Sequence, residues 1–218
     1  MDKKYLIANW KMNLAPKEAV ALAQEIAKAA IGYESNAEIV LCPSFECLRE
    51  VAEAVKNSAI KMGSQDCFWE EEGAYTGEIS PRFLAATGAK YVIIGHSERR
   101  HNLCETNKQI NLKIKAALRN GLIPILCIGE TFEERQEGQK DFILMKQLEQ
   151  DLTEVKLLTG DFLIVAYEPV WVIGSGQAVS PEEAEHTSLV VQQCLLDAFG
   201  FEQAKKQTAV IYGGSVNA

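Results

Sequence analysis

The segment Tyr5-Leu6-Ile7-Ala8-Asn9-Trp10-Lys11-Met12-Asn13, near the start of the chain, distinguishes between two parallel α/β folds. Its apolar first part, Tyr5–Ala8, is typical of a strand buried on both faces of a parallel sheet. An open doubly wound sheet usually carries a glycine-rich turn directly after such a first strand. No glycine lies between Asn9 and Asn13, so the sequence favours a barrel over an open sheet.

Further short apolar or β-branched runs follow, and helical patterns separate them. Seven strand–helix units in 218 residues average about 31 residues each, whereas eight would need about 250, the usual length of a (β/α)8 TIM barrel. We therefore predict an α/β fold, a single TIM-barrel domain over residues 1–218, C-terminally incomplete because the eighth βα unit is absent from the sequence. The remaining predicted strands are Glu38–Leu41, Ile60–Gly63, Tyr91–Ile94, Ile123–Ile128, Leu163–Tyr167 and Ala209–Tyr212.

The helix starts are marked by local signals. Pro16 opens a helical pattern over Lys17–Ala30, and Ser80-Pro81 and Ser180-Pro181 each combine an N-cap serine with a proline in the first turn. Thr131 and Glu134 have the spacing of a capping box, as do Ser180 and Glu183. The face of the first helix predicted to be buried comprises Ala19, Leu22, Ala23, Ile26 and Ala30.

Composition excludes several classes of function. With 22 Lys+Arg against 30 Asp+Glu the formal net charge is −8, which argues against electrostatic binding of nucleic acid or of a membrane surface. The N-terminus lacks the pattern of a secretory signal, and the apolar run Leu122–Ile128 is too short for a membrane helix. We expect a cytoplasmic protein with reduced cysteines, since none of the six forms a Cys-x-x-Cys pair.

Residues that could carry chemistry follow the strands, where a parallel barrel places its functional groups. Taken singly, Lys11 could be a solvated charge, His96 a buried structural histidine and Glu168 a helix-capping acid. Together they would bring a cation, an imidazole and a carboxylate to one rim beside glycine-rich loops able to bind phosphate. The apolar segment from Pro169 to Gly176, with glycines at its end, is typical of a hinged lid. These observations predict proton transfer on a small phosphorylated carbonyl compound.

In this order, the motifs resemble the triosephosphate isomerase family from one end of the chain to the other. The stretches that carry the resemblance are Ala8-Asn9-Trp10-Lys11-Met12-Asn13, Gly73-Ala74-Tyr75-Thr76-Gly77-Glu78, Gly95-His96-Ser97-Glu98-Arg99-Arg100, Leu126-Cys127-Ile128-Gly129-Glu130, Ala166-Tyr167-Glu168-Pro169-Val170-Trp171 and Tyr212-Gly213-Gly214-Ser215-Val216. The resemblance implies interconversion of dihydroxyacetone phosphate and D-glyceraldehyde 3-phosphate, in glycolysis, gluconeogenesis and pentose phosphate metabolism, with no cofactor and no metal.

The resemblance also implies residue roles. Glu168 would be the base, His96 a neutral imidazole that polarises the carbonyl, and Lys11 a fixed positive charge. Asn9 would orient the substrate, and Glu98 would be a catalytic residue that acts through its neighbours. Backbone N–H groups of Gly174 and Ser215 would bind the phosphate.

A lid and a subunit contact are implied as well. The lid and its latch would comprise Pro169, Val170, Trp171, Gly174, Ser175, Gly176, Tyr212 and Ser215. The segment Gln65 to Glu78 resembles a loop that docks into a second subunit, with Thr76 reaching the partner's site, so a homodimer is expected. Val172 and Ser175 depart from the usual lid sequence and should alter lid kinetics only modestly.

Two other hypotheses remain at this point. The family continues beyond Ala218 with a further helix, strand and glycine-rich loop, so the chain could be a catalytically inactive truncated barrel that serves only as a folding or assembly module. Another phosphate-binding barrel enzyme, such as a lyase or an epimerase, has less support. It would need a Schiff-base lysine or a metal cluster, and His101 and His186 lie isolated in the sequence.

Overall fold

The computed structural model describes residues 3–32, 36–172 and 178–214. The chain divides into two compact units. The first comprises Met1–Ile93 with Arg119–Leu122, and the second comprises Ile94–Leu118 with Ile123–Ala218. Whether residues 1–218 form one domain stays a prediction.

The first unit is a parallel sheet with helices between its strands. Its strands follow the order β1-β2-β3-β4, and β1 pairs with β2 from Lys4 opposite Ala37 to Asn9 opposite Cys42. Sequence neighbours thus pair throughout the unit, which is how successive right-handed βαβ units build a sheet. Its elements are β1 (Lys4–Asn9), α1 (Pro16–Ala29), β2 (Ala37–Cys42), a 3-10 turn (Phe45–Cys47), α2 (Leu48–Val55), β3 (Lys61–Ser64), α3 (Pro81–Ala86) and β4 (Ala89–Ile94).

Helix α1 shows how the sequence sets these elements. Pro16 occupies its first turn, where the missing N–H costs nothing, and Ala19 and Ala23 are fully buried one turn apart. The larger residues of the predicted face, Leu22 and Ile26, are half-buried. Small residues at the centre of the stripe let the helix approach its neighbours closely.

The second unit contains the other parallel strands, in the order β5-β6-β7. Ile128, Tyr167 and Tyr212 lie side by side at the ends of these strands, so the residues that follow them emerge together. Its elements are α4 (Ser97–Asn102), α5 (Asn107–Arg119), β5 (Ile123–Ile128), α6 (Phe132–Gln136), α7 (Lys140–Asp151), β6 (Leu163–Tyr167), a 3-10 turn (Val170–Val172), α8 (Pro181–Phe199), α9 (Phe201–Gln207) and β7 (Thr208–Tyr212).

The predicted caps are present. The Ser180 side chain accepts a hydrogen bond from the Glu183 N–H at the start of α8, and Thr131 and Glu134 form a complete capping box at α6. The Ser80 hydroxyl likewise accepts from the Phe83 N–H at α3. These bonds satisfy N–H groups that the first helical turn leaves without intrahelical partners.

The predicted α/β class is confirmed, and every predicted strand is found to within about two residues of its bounds. All six cysteines lie in the described ranges and are free of disulfide bonds. Within those ranges, no helix combines the length and the apolarity needed to cross a membrane.

Candidate active site

Glu168 is the first residue after β6, and its backbone is held on the neighbouring strand. Its N–H donates to the Ile128 carbonyl oxygen at 2.7 Å. Its side chain is only 9% exposed, which is unusual for a carboxylate. The end of β6 therefore holds a carboxylate at a fixed point, largely screened from water.

His96 lies opposite this carboxylate. As the N-cap of α4, its Nδ1 accepts a hydrogen bond of 3.2 Å from the Glu98 N–H. An imidazole nitrogen that accepts cannot also carry the proton, so the hydrogen of the neutral ring is on Nε2. Nε2 lies 3.5 Å from Oε1 of Glu168, and the Ser97 N–H donates to Oε2 of the same carboxylate at 3.4 Å.

Glu98, the other predicted acidic residue, has a different position. Its Oε2 lies 3.6 Å from Nδ1 of His96, and its side chain is 46% exposed. Its backbone N–H, at the first turn of α4, is what fixes the imidazole tautomer. The structure thus places Glu98 beside His96, on the side of the ring that faces away from Glu168.

Two glycines leave room for Glu168. A Cβ atom at Gly129 would lie 1.7 Å from the Glu168 carbonyl oxygen, and one at Gly213 would lie 2.9 Å from the Glu168 Cγ. Real Cβ atoms do not approach other heavy atoms this closely, so any side chain at either position would displace Glu168. Gly213 is therefore more than the ordinary turn residue that a glycine pair after a strand usually indicates.

A second buried carboxylate, Glu130, holds the start of the predicted lid. Its Oε1 accepts from Nε1 of Trp171 at 3.0 Å and from the Tyr167 hydroxyl at 3.2 Å. The Arg135 guanidinium stacks over the Trp171 ring, 4.4 Å from its centroid. Burial raises the pKa of Glu130, and the hydrogen bonds from Trp171 and Tyr167 oppose that rise. Its Oε2 has no hydrogen-bond partner among the described residues.

Asn9 and Lys11 belong to the first unit, at the end of β1. The Asn9 Oδ1 accepts from the Lys11 N–H at 3.0 Å, and the Gln65 amide donates to the Lys11 carbonyl oxygen at 2.8 Å. Lys11 has a φ of +54°, a left-handed conformation that costs a non-glycine residue energy. Strained backbone of this kind, held by side-chain hydrogen bonds, is concentrated at functional sites.

The segment that resembles a subunit-docking loop is also in the first unit. Residues 72–78 are all exposed, Thr76 among them. The base of the loop is closed by a bond from the Phe68 N–H to the Ile79 carbonyl oxygen, and the Phe68 ring stacks with Trp69 and Tyr75. The loop is thus an ordered, protruding element.

Not all predicted lid and phosphate residues can be placed. Pro169, Val170 and Trp171 follow Glu168 directly, and the Val170 N–H donates to the Glu130 carbonyl oxygen at 3.1 Å. The Tyr212 hydroxyl is buried and has no hydrogen-bond partner among the described residues. The predicted residues Gly174, Ser175, Gly176 and Ser215 lie outside the described ranges.

Sequence reasoning did not assign roles to Glu130, Arg135 or Gly129. Glu130 is an acid two residues after the end of β5, close to the position that makes Glu168 a candidate after β6. Its partners are 37 and 41 residues away in sequence, so no local spacing identifies it as the anchor of Trp171.

Comparisons with known proteins identify the family of the chain. The family model described as "Triosephosphate isomerase" matches residues 4–218. A triosephosphate isomerase of Dictyoglomus thermophilum is 42% identical over 217 residues, which cover 100% of this chain and 86% of the relative. One from Citrifermentans bemidjiense is 43% identical over 216 residues, 99% of this chain and 85% of the relative.

A solved structure gives the same result. The crystal structure of triosephosphate isomerase from Bartonella henselae matches with a TM-score of 0.85 and 34% identity, covering 99% of this chain and 84% of that one. This match confirms the predicted TIM-barrel fold, and nothing in the comparisons favours an inactive module. The family model and the full-length relatives together show that this chain belongs to the triosephosphate isomerase family.

Proposed function

We propose that Glu168 is the catalytic base and His96 the catalytic hydrogen-bond donor of this isomerase, which interconverts dihydroxyacetone phosphate and D-glyceraldehyde 3-phosphate. The observation that carries the proposal is the pairing of Nε2 of His96 with Oε1 of Glu168 at 3.5 Å. One group can then accept a proton from carbon while the other donates to the oxygen of the same substrate.

The chemistry follows from these two groups. The Glu168 carboxylate takes a proton from the carbon beside the carbonyl group of dihydroxyacetone phosphate, and the electron pair moves to the carbonyl oxygen to form an enediolate. The hydrogen on Nε2 of His96 stabilises that oxygen. Glu168 returns the proton to the neighbouring carbon, and the hydroxyl proton moves to the other oxygen, which gives D-glyceraldehyde 3-phosphate.

Four more residues complete the proposed site. Lys11 supplies positive charge for the developing enediolate and the phosphate, and Asn9 orients the substrate. The N–H groups of Gly174 and Ser215 bind the phosphate. This proposal rests on the family motif and, for Lys11, on the strained backbone at φ +54°.

The lid protects the enediolate from water, in which it would eliminate phosphate. We place the lid over Pro169 to Gly176, with Tyr212 and Ser215 as its latch. The buried Tyr212 hydroxyl supports this role, because a buried hydroxyl without a partner among the described residues needs one.

Activity of two variants tests the assignment. The purified chain should isomerise D-glyceraldehyde 3-phosphate in an assay coupled to reduction of the dihydroxyacetone phosphate formed. Glu168→Asp and His96→Gln should each lower kcat by about 100-fold or more, with the fold retained by circular dichroism. The matched controls are Glu149→Asp and His186→Gln on the outer helices, and both should keep full activity. Unchanged kcat in both site variants would overturn the assignment.

We also propose that the enzyme is a homodimer in the cytoplasm. The exposed loop over residues 72–78 carries Tyr75 at 45% exposure, and Met12 is 90% exposed in the same unit. The resemblance of this loop to the subunit-docking loop of the family supports the dimer. Six free cysteines fit a reducing compartment.

A further inference from the structure

Arg100 makes a dense set of contacts beneath the candidate site. Its side chain is 9% exposed, and its guanidinium donates four hydrogen bonds to described residues. The acceptors are the Gly95 carbonyl oxygen (2.7 Å), the Cys127 carbonyl oxygen (3.1 Å), Oδ2 of Asp151 (2.6 Å) and Oδ1 of Asn107.

The first of these acceptors belongs to the peptide bond that joins Gly95 to His96. Gly95 has a φ of +72°, and a Cβ atom on it would lie 2.9 Å from Nη2 of Arg100. The guanidinium thus packs directly against the backbone that places the imidazole. A residue larger than glycine at position 95 would push the Arg100 guanidinium away from this backbone.

The second acceptor belongs to β5, the strand next to β6, which Glu168 follows. Cys127 and Ile128 end β5, and the Ile128 carbonyl oxygen accepts the Glu168 N–H at 2.7 Å. One guanidinium therefore ties the peptide of His96 to the strand that holds the backbone of Glu168. His96 and Glu168 follow different strands, β4 and β6, so this tie links the backbone segments that carry the two side chains.

Asp151 fixes the guanidinium itself. Its carboxylate is at the C-terminal end of α7, is fully buried, and binds Arg100 through Oδ2, while its Oδ1 has no hydrogen-bond partner among the described residues. A buried ion pair gives little net stability over apolar residues of similar size. A buried pair that holds neighbouring backbone segments in place would have a function despite its small contribution to stability.

We propose that Arg100 and Asp151 form a positioning pair that sets the distance between the His96 imidazole and the Glu168 carboxylate. The inference rests on the proposed function of those two residues and extends it to a pair that lies outside the proposed substrate contacts. Misplacing reacting groups by about 1 Å can cost about 100-fold in rate. Substrate binding depends mainly on Asn9, Lys11 and the phosphate-binding loops, so it should change less.

The test compares kcat with KM in Arg100→Lys and Asp151→Asn. Both variants should lower kcat at least about 10-fold and change KM less than about 3-fold. The control is Leu148→Ala, which removes a buried apolar side chain from α7, the helix that ends at Asp151, and leaves the Arg100–Asp151 pair in the sequence. Leu148→Ala should lower the Tm about as much as Arg100→Lys and Asp151→Asn do. Its kcat, measured below the unfolding transition, should stay within twofold of the parent value.

A spectroscopic readout keeps the test independent of turnover. With ¹⁵N-labelled histidine, the ring resonances of His96 should shift in both variants, while those of His186 on α8 stay in place. Unshifted His96 resonances in folded variants, or kcat within twofold of the parent chain, would overturn the positioning pair.

Failure of the underlying assignment gives a different pattern. If Glu168→Asp and His96→Gln retain activity, the proposed catalytic roles fall, and the His96 resonances still decide whether Arg100 and Asp151 position the ring. Should Arg100→Lys not fold, Asp151→Asn, which is close to isosteric, decides alone.

Discussion

The indole Nε1 of Trp171 donates a 3.0 Å hydrogen bond to Oε1 of Glu130, a carboxylate that is fully buried beside β5. Trp171 lies three residues after Glu168, so the start of the proposed lid is tied to a residue outside the lid segment. The side-chain bond is reinforced by the backbone bond from the Val170 N–H to the Glu130 carbonyl oxygen.

Replacing Trp171 with phenylalanine should therefore destabilise the chain. The variant removes one hydrogen-bond donor from a buried carboxylate, which keeps the Tyr167 hydroxyl and the ion pair with Arg135 at 3.6 Å. The expected cost is about 1 to 3 kcal/mol in the free energy of unfolding. Urea denaturation measures it. The control Trp69→Phe, where the ring stacks on Phe68 at 4.0 Å, tests the loss of indole size alone. An equal decrease in the free energy of unfolding in the two variants would contradict a stabilising role of the Trp171–Glu130 hydrogen bond.

Gly213→Ala should reduce activity more than stability. The backbone of Gly213 is not in the left-handed region, so alanine is tolerated there, but its Cβ would meet the Glu168 Cγ at 2.9 Å. Displacing the carboxylate should lower kcat by about 100-fold. Gly121→Ala should do the opposite: at φ +68° with open space around it, it should cost about 1 to 2 kcal/mol and leave kcat unchanged. If Gly121→Ala lowered kcat more than Gly213→Ala did, steric control of Glu168 by Gly213 would be excluded.

Asp151 should make stability fall as pH rises from about 4 to about 6. Burial raises its pKa from 3.8 to about 6, opposed by Arg100 and assisted by the negative charge of Glu105. In this window the folded chain holds a proton that the unfolded chain releases, so the contribution is complete below the unfolded pKa and lost above the folded one. Its size is about 3 kcal/mol.

Asp151→Asn removes this titration. The variant side chain is neutral at every pH, so the free energy of unfolding of the variant should lack the Asp151 contribution to the decline between pH 4 and pH 6. Urea titrations at several pH values measure the slope, and identical slopes in variant and parent would contradict the raised pKa.

Thr76→Arg should weaken the proposed homodimer. The residue lies in the exposed loop over residues 72–78, and a large charged side chain at a packed interface is costly. Sedimentation velocity should show more monomer than in the parent, with lower specific activity at low protein concentration. Thr153→Arg, on an exposed surface of the second unit, is the matched control. A parent chain that is monomeric at all concentrations would contradict the dimer.

Local patterns predicted the elements of this structure well, because strand burial and helix capping act over a few residues. Tyr5–Ala8 and Leu163–Tyr167 are apolar runs whose ends the structure changes by no more than one residue. Thr131 and Glu134 form their capping box without help from the rest of the chain. Such features depend on neighbours in sequence and can be identified there.

Contacts between distant segments were not predictable in the same way. The Arg100–Asp151 pair joins residues 51 apart, and the Trp171–Glu130 bond joins residues 41 apart. Nothing in the spacing of these residues distinguishes them from solvated charges. The burial of Asp151 became visible only when strands and helices were assembled.

The left-handed backbone of Lys11 has a consequence for the entropy of substrate binding. This backbone is secured by the Gln65 amide and the Asn9 side chain. The conformational entropy of that backbone is therefore lost once, when the chain folds, and not again each time a substrate arrives. In thermodynamic terms, the ammonium group, which we propose acts on the enediolate, extends from a backbone that is already ordered before substrate binds.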